Sequence, residues 1–250
     1  MSADWPAGVG RVVLAETDST IAEAARRAAA GSGPVWILAG FQTAGRGRRG
    51  RPWVSPPGNF HATLLMRPSG GPAQAALRSF IAALALHEAL GRLTGLPSAF
   101  ALKWPNDVLL NGGKVSGILL ESLGSQGGVD HLAVGIGVNL IAAPDPAEVE
   151  PGATPPVSVL AETGLRLAPE ALLGALAPAF AAHEATLAAQ GFAPIRAAWL
   201  AQATRLGETV TARTGTATRT GIFETIDESG ALVLRTPRGR ETLPAADLYF

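Results

Sequence analysis

The sequence predicts an α+β protein, in which a large domain of strands and helices is followed by a small β-barrel module. Three observations predict this class. The chain is 250 residues long, which is enough for one large domain and an appendage. Up to about residue 204, apolar strand-like runs are mixed with segments of helical periodicity. Beyond that point only short β segments separated by turns occur, so we predict domains at 1–204 and 205–250.

Sequence patterns in the first half of the chain predict seven strands and two helices. The capping-box spacing of Thr20 and Glu23 predicts the start of a helix that ends near Gly31. A stripe of apolar residues at helical spacing predicts the longest helix over 73–94. Apolar runs bounded by turn residues predict seven strands at Val12–Ala15, Val35–Phe41, Asn59–Met66, Phe100–Trp104, Val108–Leu110, Val115–Leu123 and Val129–Val138.

The second half begins with a Pro-rich stretch over 144–156, which predicts irregular structure. Helices are predicted near 169–190 and 192–203. Hairpin turns are predicted at Asn111–Gly113 and Gly127–Gly128. The terminal module is predicted to contain β segments at Glu208–Arg213, Thr220–Ile226, Ala231–Arg235 and Glu241–Leu243.

The composition excludes several classes of function. The formal net charge is zero, whereas a protein that mainly binds nucleic acid usually carries a basic excess. There are no cysteines, which excludes disulfides and thiolate chemistry. Neither a secretion signal nor an uninterrupted apolar stretch of membrane-spanning length is apparent. We therefore expect a cytoplasmic globular protein.

The chain contains only two lysines, Lys103 and Lys114, against eighteen arginines. An ammonium group is a compact point charge, while a guanidinium group is a rigid planar fork. The two lysines lie close together in a chain that otherwise uses arginine. This placement favours a chemical role for them over chance placement on a solvated face. This segment is therefore a candidate active site.

A second candidate is the loop that follows the Val35–Phe41 strand. It places four arginines within six positions, interleaved with glycines: Arg46, Arg48, Arg49 and Arg51. Glycine lets backbone amides approach an anion, and arginine forks bind phosphate or carboxylate oxygens in pairs. The loop lies between two predicted core strands, which favours a nucleoside triphosphate over a solvated loop or an RNA-binding patch.

Other segments place polar groups at the ends of strands. Pro105 breaks the ladder, so Asn106 and Asp107 lie where side chains reach a ligand, although an Asx turn explains Asp107 alone. Glycines in Gly135–Asn139 would let a flat ligand approach the backbone, but the spacing is not a dinucleotide fingerprint. The four histidines lack metal-ligand spacing. Neither a serine-hydrolase elbow nor a Walker A sequence is present.

In combination, four of these segments resemble the biotin protein ligases. The matching segments, in order, are Gln42–Trp53, Lys103–Asp107, Lys114–Glu121 and Gly135–Asn139. The resemblance covers about residues 11–140, and the small terminal module is consistent with the same family. It implies a class II synthetase-like biotin–lipoate ligase fold, with a mixed sheet flanked by helices and an SH3-like barrel. It also implies the monofunctional form, without an N-terminal DNA-binding domain.

The resemblance implies that ATP activates biotin as biotinyl-5′-AMP, with Mg²⁺, before transfer to a lysine of a carrier protein. The implied catalytic residues are Lys114, Arg48, Arg46 and Lys103. The implied biotin-binding residues are Ser19, Thr20, Gln42, Arg46, Gly47, Arg48, Lys114 and Gly117. The implied nucleotide-binding residues are Arg48, Arg51, Trp53, Lys103, Asn106 and Asn139. Metal ligands are not assigned.

Two positions depart from the family's usual pattern. Ile21 stands where the family commonly has asparagine, so a polar contact from this position is not expected. Ser19 and Thr20 also have an alternative role as helix caps. His61 stands where an aromatic residue is often found, and it receives no role.

The base that deprotonates the acceptor lysine is not identified, with Asp107 the one candidate.

Two other functions stay open at this stage. A lipoate or octanoate ligase shares the fold and the adenylation chemistry, but its members lack the arginine-rich loop. A nucleic-acid-binding regulator could use that loop, and the zero net charge argues against it. The expected partner is the biotin carboxyl carrier protein of acetyl-CoA carboxylase or a related carboxylase. We expect no DNA or membrane partner, and a homodimer is possible through an exposed sheet edge.

Overall fold

The large domain is built on a seven-stranded mixed sheet. The computed structural model describes residues 5–124, 129–145, 147, 149–150, 152–214 and 217–250. The strand order is β1-β2-β3-β7-β6-β5-β4, and within it only the β1–β2 pair is parallel. The strands are β1 Gly10–Thr17, β2 Val35–Gln42, β3 Phe60–Met66, β4 Phe100–Lys103, β5 Asp107–Leu110, β6 Gly113–Leu123 and β7 His131–Val138.

The described residues contain six α-helices, which pack around this sheet and on one another. They are α1 Thr20–Ala29, α2 Pro72–Ala76, α3 Arg78–Thr94, α4 Val159–Thr163, α5 Pro169–Gln190 and α6 Phe192–Ala201. Helix α1 packs on one face through Ile21 and Ala24, which share a small core with Ile37 and Leu65. The larger core, under α3 and α5, fills the opposite face. We call the α1 side the site face.

The predicted helix over 73–94 is divided at Leu77 into α2 and α3. The carbonyl of Gln74 accepts hydrogen bonds from the Leu77 amide at 3.2 Å and from the Arg78 guanidinium at 2.9 Å. Those bonds replace the regular helical bond to the amide of residue 78.

The predicted capping box is also displaced. Ser19, not Thr20, is the N-cap of α1, and its hydroxyl accepts from the Ile21 amide at 3.3 Å.

Helix α5 is the one helix in the described residues that is long and apolar enough to cross a membrane. It has 22 residues, and an 18-residue window within it has a mean hydropathy of 1.3. However, one of its sides packs on α3 in the core through Leu172, Leu176 and Phe180. Phe180 meets Trp36 of β2 edge to face at 5.9 Å. These contacts are those of a core helix.

The C-terminal module is an antiparallel five-stranded sheet, ordered β11-β10-β9-β8-β12. Its strands are β8 Thr209–Arg213, β9 Thr218–Ile226, β10 Leu232–Thr236, β11 Gly239–Leu243 and β12 Asp247–Tyr249. The sequence did not predict β12 or α4, and the Gly127–Gly128 turn lies outside the described residues. Trp104 joins the two parts, because its indole donates to the carbonyl of Gly230 at 2.9 Å. The boundary at 204 and the closure into a barrel stay predictions.

Candidate functional site

A cavity of about 490 Å³ opens on the site face of the large sheet. One row of directly paired residues crosses its floor: Lys103 on β4, Asp107 on β5, Gly117 on β6, Gly137 on β7 and His61 on β3. Residues paired across antiparallel strands project to the same face. The two central glycines therefore form a flat shelf, with charged groups at one end and a histidine at the other.

Trp53 lies on this glycine shelf. A Cβ atom added to Gly137 would come within 2.4 Å of the indole ring, and one added to Gly117 would come within 3.3 Å. Glycine is therefore required at Gly137 for the indole to lie against the backbone. The Trp53 Nε1 atom is buried there, and among the described residues it has no hydrogen-bond partner. Trp53 can thus offer both a ring face and a free donor to a ligand.

The arginine loop is fixed at its base and anchored at its tip. The Trp53 amide donates to the Gly45 carbonyl at 2.9 Å. A Cβ atom at Gly45 would come within 2.7 Å of the carbonyl oxygen of Trp53, so only glycine fits there. At the tip, Arg49 adopts a left-handed conformation with φ of 57°, which is uncommon for a side chain of this size.

Asp247 of β12 is the anchor for the loop tip. Its carboxylate lies 3.3 Å from Arg48, 2.7 Å from Arg49 and 3.5 Å from Arg51. Arg51 also pairs with Glu150 at 2.8 Å. A single carboxylate of the C-terminal module thus holds together three cations that would otherwise repel each other.

Arg46 lies apart from this group. Its guanidinium approaches Glu121 of β6 at 3.6 Å, and its side chain is 49% exposed. A pair this exposed contributes little to stability. Arg46 is therefore free to exchange its partner for a ligand anion at small energetic cost.

The two lysines differ in their environment. Lys114 Nζ lies 2.7 Å from Asp107 Oδ1, although the contact lacks hydrogen-bond geometry. Lys103 is 6% exposed, donates to the Thr154 hydroxyl at 2.6 Å, and lies 4.6 Å from the centre of the Phe250 ring. Burial lowers the pKa of Lys103, and the nearby Lys114 charge acts in the same direction.

A network of uncharged polar groups lies at the N-terminus of α1. Gln42 Oε1 accepts from the Thr20 amide at 2.8 Å and from the Thr20 hydroxyl at 3.0 Å. Gln42 Nε2 donates to the Ser55 hydroxyl at 2.9 Å. The Thr63 hydroxyl donates to that of Thr20 at 2.8 Å. Together with Ser19, these groups form a neutral end of the cavity, which suits a polar, uncharged ring.

Two asparagines complete the lining. Asn106 accepts from Arg48 at 3.2 Å and donates to the Ile118 carbonyl at 2.5 Å. Asn139 is 2% exposed and donates to the Val157 carbonyl at 3.1 Å. Their side-chain amides are fixed by the backbone, so they present defined donors and acceptors to the cavity.

The cavity collects every residue that the sequence proposed for the site: Ser19, Thr20, Gln42, Arg46, Gly47, Arg48, Arg51, Trp53, Lys103, Asn106, Lys114, Gly117 and Asn139. Sequence reasoning missed Asp247, Tyr249, Thr154 and Glu150, which also line it. Ile21, at the variant position, is 4% exposed and packs against Gly135, so it contributes an apolar wall. Within the described ranges, we find no group of three side chains that could hold a metal.

Comparison with known proteins gives consistent matches over the two domains. Residues 10–139 match the biotin/lipoate A/B protein ligase family, and residues 206–250 match the biotin protein ligase C-terminal domain. A biotin–[acetyl-CoA-carboxylase] ligase of Paracoccus denitrificans is 63% identical over 95% of this chain and 99% of its own length. The bifunctional ligase/repressor BirA of Bacillus subtilis is 31% identical over 94% of this chain and 71% of its own.

A solved structure of similar form is the biotin protein ligase of Aquifex aeolicus in complex with biotin and ATP. It superimposes with a TM-score of 0.80 at 26% identity, and the match covers 96% of this chain and 97% of the other. The similarity therefore extends across the large domain and the C-terminal module together.

Proposed function

The chain belongs to the biotin/lipoate A/B protein ligase family, among its biotin protein ligases, and we propose how its residues perform that reaction. The first step joins the carboxylate oxygen of biotin to the α-phosphorus of ATP, and pyrophosphate leaves. In the second step a lysine amine attacks the carbonyl carbon of biotinyl-5′-AMP. AMP leaves with the bonding electron pair of the C–O bond, and the amine loses a proton.

One observation carries this proposal: a single cavity has a cationic end and a neutral polar end. The two lysines of the chain and three lining arginines, Arg46, Arg48 and Arg51, define the first, and the Thr20–Gln42 network defines the second. Biotin has the matching polarity, with a charged carboxylate at one end and an uncharged ureido ring at the other. This polarity would align the carboxylate of biotin with the phosphates of ATP.

At the cationic end, the main task is to bring two anions together. Phosphoryl transfer depends on positioning and on stabilising charge, more than on covalent help from the protein. We assign Lys114 to the position between the biotin carboxylate and the α-phosphate, and Lys103 to the phosphates. Arg46 and Arg48 would meet the carboxylate and the adenylate, and the loop would shield the mixed anhydride from water.

At the other sites, Ser19, Thr20, Gln42 and the backbone at Gly47 and Gly117 would bind biotin. The nucleotide would lie near Arg51, Asn106 and Asn139, with Trp53 beside the adenine. Support for these assignments comes from the lining of the cavity and from the free Trp53 N–H group on the glycine shelf.

Magnesium would enter with ATP. Mg²⁺ typically keeps several waters and uses one or two carboxylates plus substrate phosphates, so a cluster of protein ligands is not required. The carboxylates of the cavity lining, Asp107, Glu150 and Asp247, are each ion-paired with a lysine or an arginine, so the phosphates would hold most of the ion. When bound, the ion supplies positive charge to the phosphates.

The proposed acceptor is the biotin carboxyl carrier subunit of acetyl-CoA carboxylase, in line with the name of the Paracoccus relative. We propose the cytoplasm as the compartment, supported by the absence of cysteine. A DNA or membrane partner is not expected, given the zero net charge. We also propose that the β1 edge of the sheet can pair in a homodimer, which light scattering of the purified protein would test.

Pyrophosphate release from ATP, with biotin or lipoate added separately, tests the proposed function. Release with biotin only would support it. Release with lipoate only would move the chain to the lipoate ligases, the alternative within the same family. The matched relatives named above are biotin ligases, so we expect the first result. If neither acid leads to pyrophosphate release, the proposed adenylation itself would be contradicted.

A further inference from the structure

His61 on β3 is a buried histidine at the cavity that the mechanism above does not use. Its side chain is 1% exposed and lines the cavity wall. The Nε2 atom lies 3.4 Å from the carbonyl oxygen of Pro56. The Nδ1 atom is also buried, and within the described part of the chain it has no hydrogen-bond partner. Native proteins rarely leave a buried polar atom unpaired, so this one calls for a functional explanation.

The chemistry of the ring determines what Nδ1 offers. Burial lowers the pKa of His61 to about 4, so the imidazole is neutral near pH 7 and carries a single N–H. The Pro56 carbonyl can only accept, which places that hydrogen on Nε2. The Nδ1 atom then has a free lone pair. This nitrogen can therefore accept a hydrogen bond from a ligand.

The position of His61 shows which part of a ligand it would meet. The paired row runs from Lys103 across β5, β6 and β7 to His61, four strand spacings of about 4.8 Å or about 19 Å in all. His61 therefore lies at the end opposite Lys103, and two strand spacings from Gly117, beside which the Lys114 ammonium lies. Thr63, two residues further along the same face of β3, belongs to the neutral network with Thr20.

We propose that His61 is a specificity-determining residue whose Nδ1 accepts a hydrogen bond from an N–H of the ureido ring of biotin. The proposal rests on the proposed function and deepens it. A ring without an N–H donor, such as the dithiolane of lipoate, would leave Nδ1 buried and unpaired. A site that must hydrogen-bond its substrate discriminates strongly against analogues that lack the group.

The test compares His61→Phe with His61→Asn. Phenylalanine keeps a planar ring and removes the acceptor, while asparagine places an amide oxygen near the position of Nδ1. Calorimetric titration with biotin, and separately with ATP, measures both affinities for each variant. We expect His61→Phe to weaken biotin about tenfold, the loss of one hydrogen bond in a buried site, and His61→Asn to stay within about threefold of wild type. ATP affinity should stay unchanged in both.

Thermal unfolding without ligand separates this role from a structural one. Both variants lose the Nε2 contact with Pro56, so if Nδ1 is unpaired in the free protein, the Tm of His61→Phe should be no lower than that of His61→Asn. A lowered Tm with equal loss of biotin affinity in both variants would show a packing role and overturn the proposal. Unchanged biotin affinity in His61→Phe, or weakened ATP affinity instead, would also overturn it. Failure of the wild type to bind biotin would refute the proposed function itself.

Discussion

Replacing Lys114 by alanine should reduce adenylation about a hundredfold. In other enzymes, removal of one donor that stabilises transition-state charge costs about 10²–10³ in rate. The Lys114 side chain is 32% exposed, so water screens part of its charge and we expect the lower end of that range. The assay is pyrophosphate release at saturating biotin and ATP, with Arg166→Ala, an exposed cation outside the cavity, as the matched control.

Part of that loss should come from Asp107 and not from the lysine alone. Lys114 Nζ lies 2.7 Å from its carboxylate, which is only 15% exposed. Without the Lys114 ammonium, the negative charge of the Asp107 carboxylate is less neutralised. It then repels the carboxylate of biotin and the phosphates of ATP more strongly. The double variant Lys114→Ala/Asp107→Asn should therefore recover about tenfold over Lys114→Ala, within the range of coupling energies for contacting residues. A wild-type rate in Lys114→Ala, or a double variant slower than the single one, would refute this reasoning.

Three further outcomes are expected. In Asp247→Asn, trypsin should cleave the arginine loop several times faster than in wild type, since three arginines lose their shared anchor. Glu208→Gln, which removes a remote ion pair of the same module, should leave cleavage unchanged. Because burial lowers the pKa of Lys103, its charge should disappear as pH rises through a range below that of an ordinary lysine. The rate of pyrophosphate release by the wild type should fall over that pH range. The Lys103→Arg variant should show no such fall, even if its rate is lower than that of wild type at every pH. Finally, with only two lysines, both lining the cavity, the protein should label itself poorly with biotin. Extensive self-labelling by mass spectrometry would contradict this expectation.

The convergence of the site residues could be predicted because the motifs lie at the ends of neighbouring strands. The Lys103 and Lys114 segments are joined by short turns, and the Gly135–Asn139 strand pairs directly with β6. Short connections keep consecutive strands adjacent, so local patterns were sufficient to place these groups at one edge. The mixed sheet and the two-part organisation followed from the same patterns and from the family resemblance.

The remaining features depend on tertiary contacts that no local pattern encodes. Asp247 lies on a three-residue strand and reaches the loop only because the C-terminal module docks against the large domain. The cap of α1 shifted to Ser19 because the Thr20 hydroxyl is engaged by Gln42 and Thr63. The unpaired nitrogen of His61 is likewise a property of packing. The sequence offered only one signal for it, a histidine at a position where the family often has an aromatic residue.

Transfer of biotin to a carrier tests the central claim most directly. The purified protein would be incubated with ATP, biotin and the biotin carboxyl carrier domain of acetyl-CoA carboxylase, and the intact mass of the carrier would be measured. Our account predicts one added biotin, which disappears when the carrier's acceptor lysine is replaced by arginine. An unmodified carrier, or one modified equally well with lipoate, would contradict the account.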